Sequence, residues 1–377
     1  RATSVYLVDR TIPMLPEILS NGVCSLNPNE DKLTYSTVIT LDKNGKVKER
    51  WFGKTVIHSD KRFTYEEAQK VLDTSKGPFL KELDTLNTLS KKLRAERFAR
   101  GSIDFDQDEV FFTLDEKGKP ISIEKKQRID ANRLIEDFML LANQEVATYF
   151  NILSKKPTQN KAVFLYRTHD VPKPEKIEEL GIFLRAMGYD FKEKNGEVSG
   201  KELNNLFKKI EGKPEENLIK TAAIRSMAKA IYSTKNIGHF GLAFQYYTHF
   251  TSPIRRYPDI MVHRLLKKYI SGDSLPQEEI AQYEALAIQS SKRETSAVEA
   301  ERDSIKLKQV EYMSEHIGEV FSGTITGVVE WGFYVEEKNT KAEGLVRLSS
   351  LKDDYYELDK KNYRILGSRK HKKYSLG

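Results

Sequence analysis

Short runs of β-branched and aromatic residues, SVYLVDR, LTYSTVITL and KERWFGKTVIH, occupy the stretch from 1 to 60 between turns rich in Pro and Asn. That pattern predicts a sheet. From Thr64 to Lys76 and from Lys81 to Arg100 the apolar positions move to helical spacing, with Gly77 and Gly101 as stops, which predicts two helices. DEVFFTLD and KPISIEK read as a strand pair joined by a Lys117-Gly118 turn. Asp130 is placed to cap a long core helix whose apolar stripe includes Leu134, Phe138, Leu141 and Val146. AVFLYRTHD predicts another strand, and the stretch from Pro174 to Ser233 is helix-rich, with PEENL at 214–218 opening one helix. A helix from about Gln277 to Ile317 is charged all round and too polar for a core element. Last, GEVFSGTITGVVEWGFYVEE and AEGLVRLSSL alternate between Gly turns in the manner of a small barrel. There is no internal repeat and no low-complexity linker.

Composition narrows the classes only modestly. A chain of 377 residues with 39% hydrophobic content can build two or three domains around a substantial core. Sixty-two Lys and Arg against 55 Asp and Glu leave a net charge of +7, which favours a polyanionic partner without requiring one. Cys24 is the only cysteine, so no internal disulfide can form, and no stretch approaches the roughly 18 apolar residues of a membrane span. A reducing cytoplasm and no membrane partner are the expectation. The chain opens Arg1-Ala2-Thr3-Ser4 without an initiator Met or a signal-peptide pattern, so its N-terminus is expected upstream.

The most informative stretch is HFTSPIRRYPDI, from His249 to Ile260. Pro253 fixes one φ angle and biases Ser252 away from α, while Pro258 ends the turn, so Arg255 and Arg256 sit on a constrained loop between a strand and a helix. A guanidinium meets phosphate oxygens with a planar fork of donors and can stabilise charge developing on a phosphodiester. On the residues alone, a surface loop whose arginines pair with carboxylates accounts for the pair as well.

The wider context separates the two. HFTSPIRRYPD, with IRSMAKAIYS and GHFGLA before it and HRLL after it, closely resembles the hallmark of the ribonuclease II and ribonuclease R family of RNB-domain exoribonucleases. The resemblance continues through TIPMLPEILSNGVCSLNPNEDKL at 11–33, RFTYEEAQ at 62–69, NRLIEDFMLLANQEVA at 132–147 and YRTHDVP at 166–172, in the family's order and over nearly the whole chain. It leans toward the ribonuclease R side. It implies an α+β fold: an RNB catalytic domain of mixed sheets and helices over 1–316, including the charged helix at 276–316, then an S-one-type OB-fold RNA-binding domain over 317–377. Both domains are expected to be incomplete, the first at its start and the second in its closing strands.

The resemblance also assigns roles. Arg255 matches the arginine that contacts the scissile phosphate, Tyr65 the tyrosine at the last nucleotides, and Glu136 the glutamate near the terminal nucleotide; these three are the expected catalytic set. Phe105 matches the phenylalanine closing the stack of bases, and Arg256, Glu301, Arg167 and His169 are expected to contact RNA or support the site. Base–aromatic stacking tolerates any sequence, as a processive degrader requires. Read without the family, Tyr65 and Phe105 are equally core aromatics, and Glu136 and Glu301 surface carboxylates. In the barrel segment, Trp331, Tyr334 and Arg347 stand where they would face nucleic acid, or else fill the barrel core, and the basic run from Arg369 to Lys373 is a phosphate-contacting loop or a solvated one.

The family's chemistry is two-metal hydrolysis, with Mg²⁺ ions held by a cluster of aspartates. No such pattern occurs between Arg1 and Gly377, so the resemblance implies metal ligands upstream of Arg1 and poor metal binding by these residues alone. Two look-alikes fail. Asp104, Asp106 and Asp108 imitate a calcium loop, but Glu109 stands at its sixth position and Asp115 at its twelfth; GEVSGKE at 196–202 is too short for a phosphate-binding P-loop and reads as a turn. The expected function is a processive, hydrolytic 3′-to-5′ exoribonuclease acting as a monomer on single-stranded RNA and releasing nucleoside 5′-monophosphates. The alternative from another class is an RNA-binding protein on the same scaffold without hydrolysis.

Overall fold

The structure is a computed structural model and describes residues 1–105, 109–155 and 162–377. In chain order its first elements are strands β1 (Val5–Tyr6), β2 (Thr11–Ile12), β3 (Asp31–Leu41) and β4 (Val47–His58), then helices α1 (Tyr65–Thr74) and α2 (Leu80–Ala99). Strands β5 (Glu109–Leu114) and β6 (Pro120–Lys126), helix α3 (Asp130–Leu153) and strand β7 (Tyr166–Thr168) follow. Helices α4 (Pro174–Ala186), α5 (Gly200–Ile210) and α6 (Glu216–Ser226) lead to β8 (Ile231–Ser233), α7 (Tyr257–Ile270) and α8 (Gln277–Ser314). The chain ends with β9 (Gly323–Val329), β10 (Gly332–Glu337), β11 (Glu343–Arg347), β12 (Tyr356–Asp359), β13 (Arg364–Gly367) and β14 (Lys373–Ser375). It forms two compact units: residues 1–102, 127–170 and 229–301, and residues 103–126, 171–228 and 302–377. No helix among the described residues is long and apolar enough to cross a membrane.

In the first unit, β3 and β4 pair antiparallel from Asp31–His58 to Leu41–Val47. Their turn closes because the Asp42 carboxylate accepts the backbone N–H groups of Asn44 and Lys46 at 2.9 and 3.0 Å, while Gly45 takes a φ of 85°. Helix α1 starts on a capping box between Thr64 and Glu67. The core gathers Val146, Ala147, Phe150 and Leu153 of α3, Phe164 and Leu165, and Met261, Val262, Leu265 and Leu266 of α7, with Phe150 stacked on Phe164 at 4.1 Å.

Three local expectations change. Asp130 is the first residue of α3 rather than its cap; the Asn132 side chain accepts the N–H of Ile129, and Asp130 pairs with Lys91 at 2.9 Å. The predicted strand AVFLYRTHD shortens to Tyr166–Thr168, because its antiparallel partner is only the three-residue β8. Pro258 does not end a turn but occupies the first turn of α7, where its missing N–H costs nothing.

A buried polar knot ties α2 to α3. The Asp137 carboxylate, 1% exposed, accepts from Ser90 Oγ at 2.7 Å, Arg94 Nη2 at 2.8 Å and Arg97 Nη2 at 3.1 Å. Arg94 and Arg97 lie one turn apart on α2, so one carboxylate fixes the register of both helices.

The second unit buries Ile177 and Leu184 of α4, Leu203 and Ile210 of α5, and Ile219 of α6. Strands β11, β10 and β9 form one antiparallel sheet and β12, β13 and β14 another. Gly332 lets β10 lie against β11, since a Cβ there would stand 2.4 Å from the Val346 carbonyl. Helix α8 is mostly solvent-facing, as its charge pattern predicts, but it buries Ala287, Ser290 and Gln309.

Removing one partner of a buried ion pair strands the other charges. Asp137→Ala should therefore lower stability by about 3–5 kcal/mol, read as a fall in the urea midpoint with the slope unchanged.

Candidate nucleic-acid interface

The segment from Phe250 to Arg256 belongs to no helix or strand, so its backbone groups need partners from elsewhere. Two buried side chains supply them. Asn143, on α3, accepts the N–H groups of Phe250 and Thr251 on Oδ1 at 2.8 and 3.3 Å and donates from Nδ2 to the Tyr247 hydroxyl at 3.3 Å. Asp259, in the first turn of α7 and fully buried, accepts the Ser252 N–H at 2.7 Å. The Ser252 carbonyl then accepts from Arg255 and Arg256, closing the turn that Pro253 begins. His263 Nε2 donates to the Phe250 carbonyl at 2.8 Å. At the far end, Ser4 N donates to the Arg255 carbonyl and Tyr257 N to that of Ala2, both at 2.9 Å.

The two arginines on this loop have different fates. Arg256 gives Nε and Nη2 to the Asp259 carboxylate, both at 2.9 Å, which makes it a strut of the loop. The Arg255 side chain, half-buried, has no hydrogen-bond or ion-pair partner among the described residues.

Arg167 and His169 also turn inward. Arg167 pairs with both Glu294 oxygens at 2.6 and 3.1 Å and lies over the Tyr232 ring at 4.6 Å. His169 is buried, and its Nδ1 accepts the Gly241 N–H at 2.9 Å. Around them, burial holds His239 down to about 3, with His169 and Arg167 adding to the shift. Burial also pushes His249 well below its ordinary value, aided by Arg256 and Arg167, and its Nδ1 lies 2.8 Å from the Tyr232 hydroxyl. Both imidazoles are therefore neutral near pH 7.

The other expected residues of this unit sit on α1, α3 and α8. Tyr65 is the first residue of α1 and 46% exposed. One turn on, Gln69 Oε1 accepts the Ala131 N–H at 3.0 Å and fastens α1 to the start of α3. Glu136 is half-exposed, paired with Arg128, and two turns before Asn143 on the same face of α3. Glu301 lies two turns beyond Glu294 on α8, hence on the face that meets Arg167. The structure thus connects the Arg255–Arg256 loop, Tyr65 and Glu136 through one helix, while Arg167 pairs with Glu294 and His169 binds the Gly241 backbone.

Phe105 belongs to the second unit, half-buried, with its ring 6.3 Å from that of Phe207. Trp331 stands in the turn between β9 and β10, 61% exposed, so it does not fill a core. Phe333 takes that place, buried and stacked on Tyr374 at 4.7 Å. Tyr334 points to the opposite face, and Arg347 is exposed across from Gly332. Arg369 lies over the Tyr355 ring at 4.9 Å and Lys372 over that of Tyr374 at 5.1 Å. A cleft of about 500 Å³ in this unit is lined by Lys125, Lys213, Lys220, Lys338 and Lys341, with Glu216 and Glu336 among them.

The look-alike motifs resolve plainly. In GEVSGKE, Gly196 makes a turn at a φ of 72° and Ser199 caps α5 with Glu202, so the segment is a helix start. Asp104 is exposed, and Asp106 and Asp108 lie outside the described residues. Among the described residues, no three His, Cys, Asp or Glu side chains gather to hold a metal ion.

With this geometry in hand, comparison with known proteins is direct. The fold and loop are those of an RNB domain followed by an S1 module: the RNB domain profile matches residues 1–272 and the S1 RNA binding domain profile residues 315–373. The chain belongs to the RNB family. Ribonuclease R of Aquifex aeolicus is 42% identical over 384 residues, covering all of this chain and 53% of that protein. Ribonuclease R 1 of Lactococcus lactis is 39% identical, covering all of this chain and 46% of its own length. The chain thus spans about half the length of the curated relatives it matches. The solved structure of Mycoplasma genitalium RNase R in complex with ribose-methylated single-stranded RNA superposes with a TM-score of 0.89 at 28% identity, over all of this chain and 59% of that one. The α+β architecture with a C-terminal OB-type module is as the sequence predicts.

Sequence reasoning missed Asn143, Asp259, Glu294 and Tyr232, which hold the loop and its surroundings. The one available signal was a polar residue inside an apolar stretch, as Asn143 stands in MLLANQEVA.

The neutral histidines generate a pH dependence. The unfolded chain protonates them near 6.5 while the folded protein resists, so unfolding takes up protons. Their contribution is complete above pH 6.5 and is lost as pH falls from there toward about 3, the His239 value. The unfolding free energy, followed through the urea midpoint, should drop between about pH 7 and pH 5 by up to about 1.4 kcal/mol per pH unit per histidine. His239→Asn, which keeps a cap for the Leu242 N–H, should make that slope shallower.

Proposed function

We propose that the protein is a hydrolytic 3′-to-5′ exoribonuclease, acting processively as a cytoplasmic monomer on single-stranded RNA and releasing nucleoside 5′-monophosphates. The observation that carries this reading is Arg255, an unpaired guanidinium on a loop whose backbone is bound from three sides, in a chain of the RNB family. Relatives named ribonuclease R and the S1 module support it.

In this reading Arg255 binds the scissile phosphate and offsets the charge that develops during attack. Tyr65 stacks on or abuts the terminal nucleotides, and Glu136 orients the same end of the strand. Phe105 closes the stack of bases, Trp331, Tyr334 and Arg347 guide the incoming strand, and Glu301 lies near the strand on α8. Arg167, His169 and Arg256 support the loop rather than touch RNA, because their polar groups are already engaged. Magnesium dependence is part of the proposal. The described residues do not assemble a site for the ion.

The test uses the intact protein with whatever sequence flanks these 377 residues, 3′-labelled RNA and Mg²⁺. Release of labelled mononucleotide that stops when the metal is chelated supports the reading. Binding without release would favour an RNA-binding protein on the same scaffold. Arg255→Ala should depress hydrolysis far more than RNA affinity, because other contacts hold the strand; equal losses in both would reduce Arg255 to a backbone anchor. Trp331→Ala should weaken binding of single-stranded RNA by about 1–3 kcal/mol, measured at fixed salt.

A further inference from the structure

Three successive backbone N–H groups, those of Phe250, Thr251 and Ser252, are taken by side chains of two helices: the first two by Asn143 of α3 and the third by Asp259 of α7. Such a run normally belongs to a strand, and here it has none. Both acceptors are buried, at 3% and 0% exposure, so water cannot replace them when they are lost. Each has a second bond that fixes its own direction. Asn143 donates to the Tyr247 hydroxyl, and the Asp259 carboxylate is gripped by Arg256. The orientation of the Asn143 amide follows, since its oxygen must face two donors and its nitrogen the hydroxyl.

Asn143 and Asp259 therefore fix the backbone from 250 to 252, Pro253 carries the direction forward, and Arg255 emerges two residues later with no partner of its own. We propose that Asn143 and Asp259 are positioning residues: they set where the Arg255 guanidinium stands, and their effect on hydrolysis passes through it. The proposal rests on the exoribonuclease reading. Both side chains are buried beneath the loop backbone they bind, so neither is a catalytic residue.

A double-mutant cycle in the intact protein, read by single-turnover release of 3′-labelled mononucleotide, tests this. Displacement by about 1 Å can cost about a hundredfold in rate, so Asn143→Ala should lower the single-turnover rate by that order while changing RNA affinity little. In an Arg255→Ala background the same substitution should change the rate by less than about twofold, since the group it positions is gone. Asn143→Asp keeps an oxygen facing Phe250 and Thr251 and should recover part of the loss. If Asn143→Ala does not fold, Asn143→Asp and Asp259→Asn carry the cycle, with melting curves as control. Equal losses in both backgrounds, or no loss in the first, overturn the proposal while leaving the exoribonuclease reading intact. Absence of release from the unmutated protein sinks that reading, and this one with it.

Discussion

Helix α3 buries three polar side chains, Asp137, Asn143 and Glu145, and the geometry of the first unit hangs on the first two, which look in different directions. Asp137 faces α2 and collects Arg94, Arg97 and Ser90; Asn143 faces the loop before α7 and collects two of its amides. The six steps from one to the other amount to 600°, which leaves them about 120° apart around the axis and turns them toward different neighbours. Between these anchors the helix is apolar, and beyond them Val146, Ala147 and Phe150 enter the core while Glu145 pairs with Arg50. A helix held only by that stripe could slide or rotate with modest loss, because hydrophobic contact is not directional. Hydrogen bonds to a buried carboxylate and a buried amide are directional, so they select one register among those that the core would accept.

This arrangement makes α3 the common reference for residues distant in sequence. Tyr65 reaches it through Gln69, which binds the Ala131 N–H; Glu136 lies on it; Arg255 reaches it through Asn143. The intervening segments differ greatly in length, from a single helical turn to more than a hundred residues. What matters is that Tyr65 and Arg255 reach the helix through short hydrogen bonds to it rather than through a long loop whose errors would accumulate.

The sequence shows the elements far better than it shows these bonds. Hairpins and helices are written locally: the Asp42 to Lys46 turn, the Thr64 and Ser199 capping boxes and the glycine stops all lie within a few residues of what they determine. Asp130 was misread because a cap is a matter of one residue, and Ile129 with Asn132 does the work instead. Family resemblance singles out Arg255 and the aromatics. It is silent on Asn143, whose partners are 107 and 108 positions away, and on Glu294, which is 127 positions from Arg167. No periodicity encodes such pairings. The neighbouring arginines show the same limit, since nothing in Arg-Arg distinguishes the strut from the free group. The distinction comes from Asp259, three positions after Arg256 in the chain and facing its side chain only once α7 has formed.

Charge balance around the loop explains why the free arginine can matter. Arg167 is matched by Glu294 and Arg256 by Asp259, each through two hydrogen bonds. His239 and His249 would be partly protonated in water near neutral pH, but burial and the nearby guanidiniums keep them neutral. Tyr232 is kept protonated by its own burial and shares its hydroxyl with His249. Within this cluster the charges cancel pair by pair, and Arg255 is left over. A partly desolvated cation with no counter-ion is unfavourable by itself, and its most economical partner is an anion brought from outside. The same pairing that stiffens the loop therefore concentrates its attraction for an anion at one side chain.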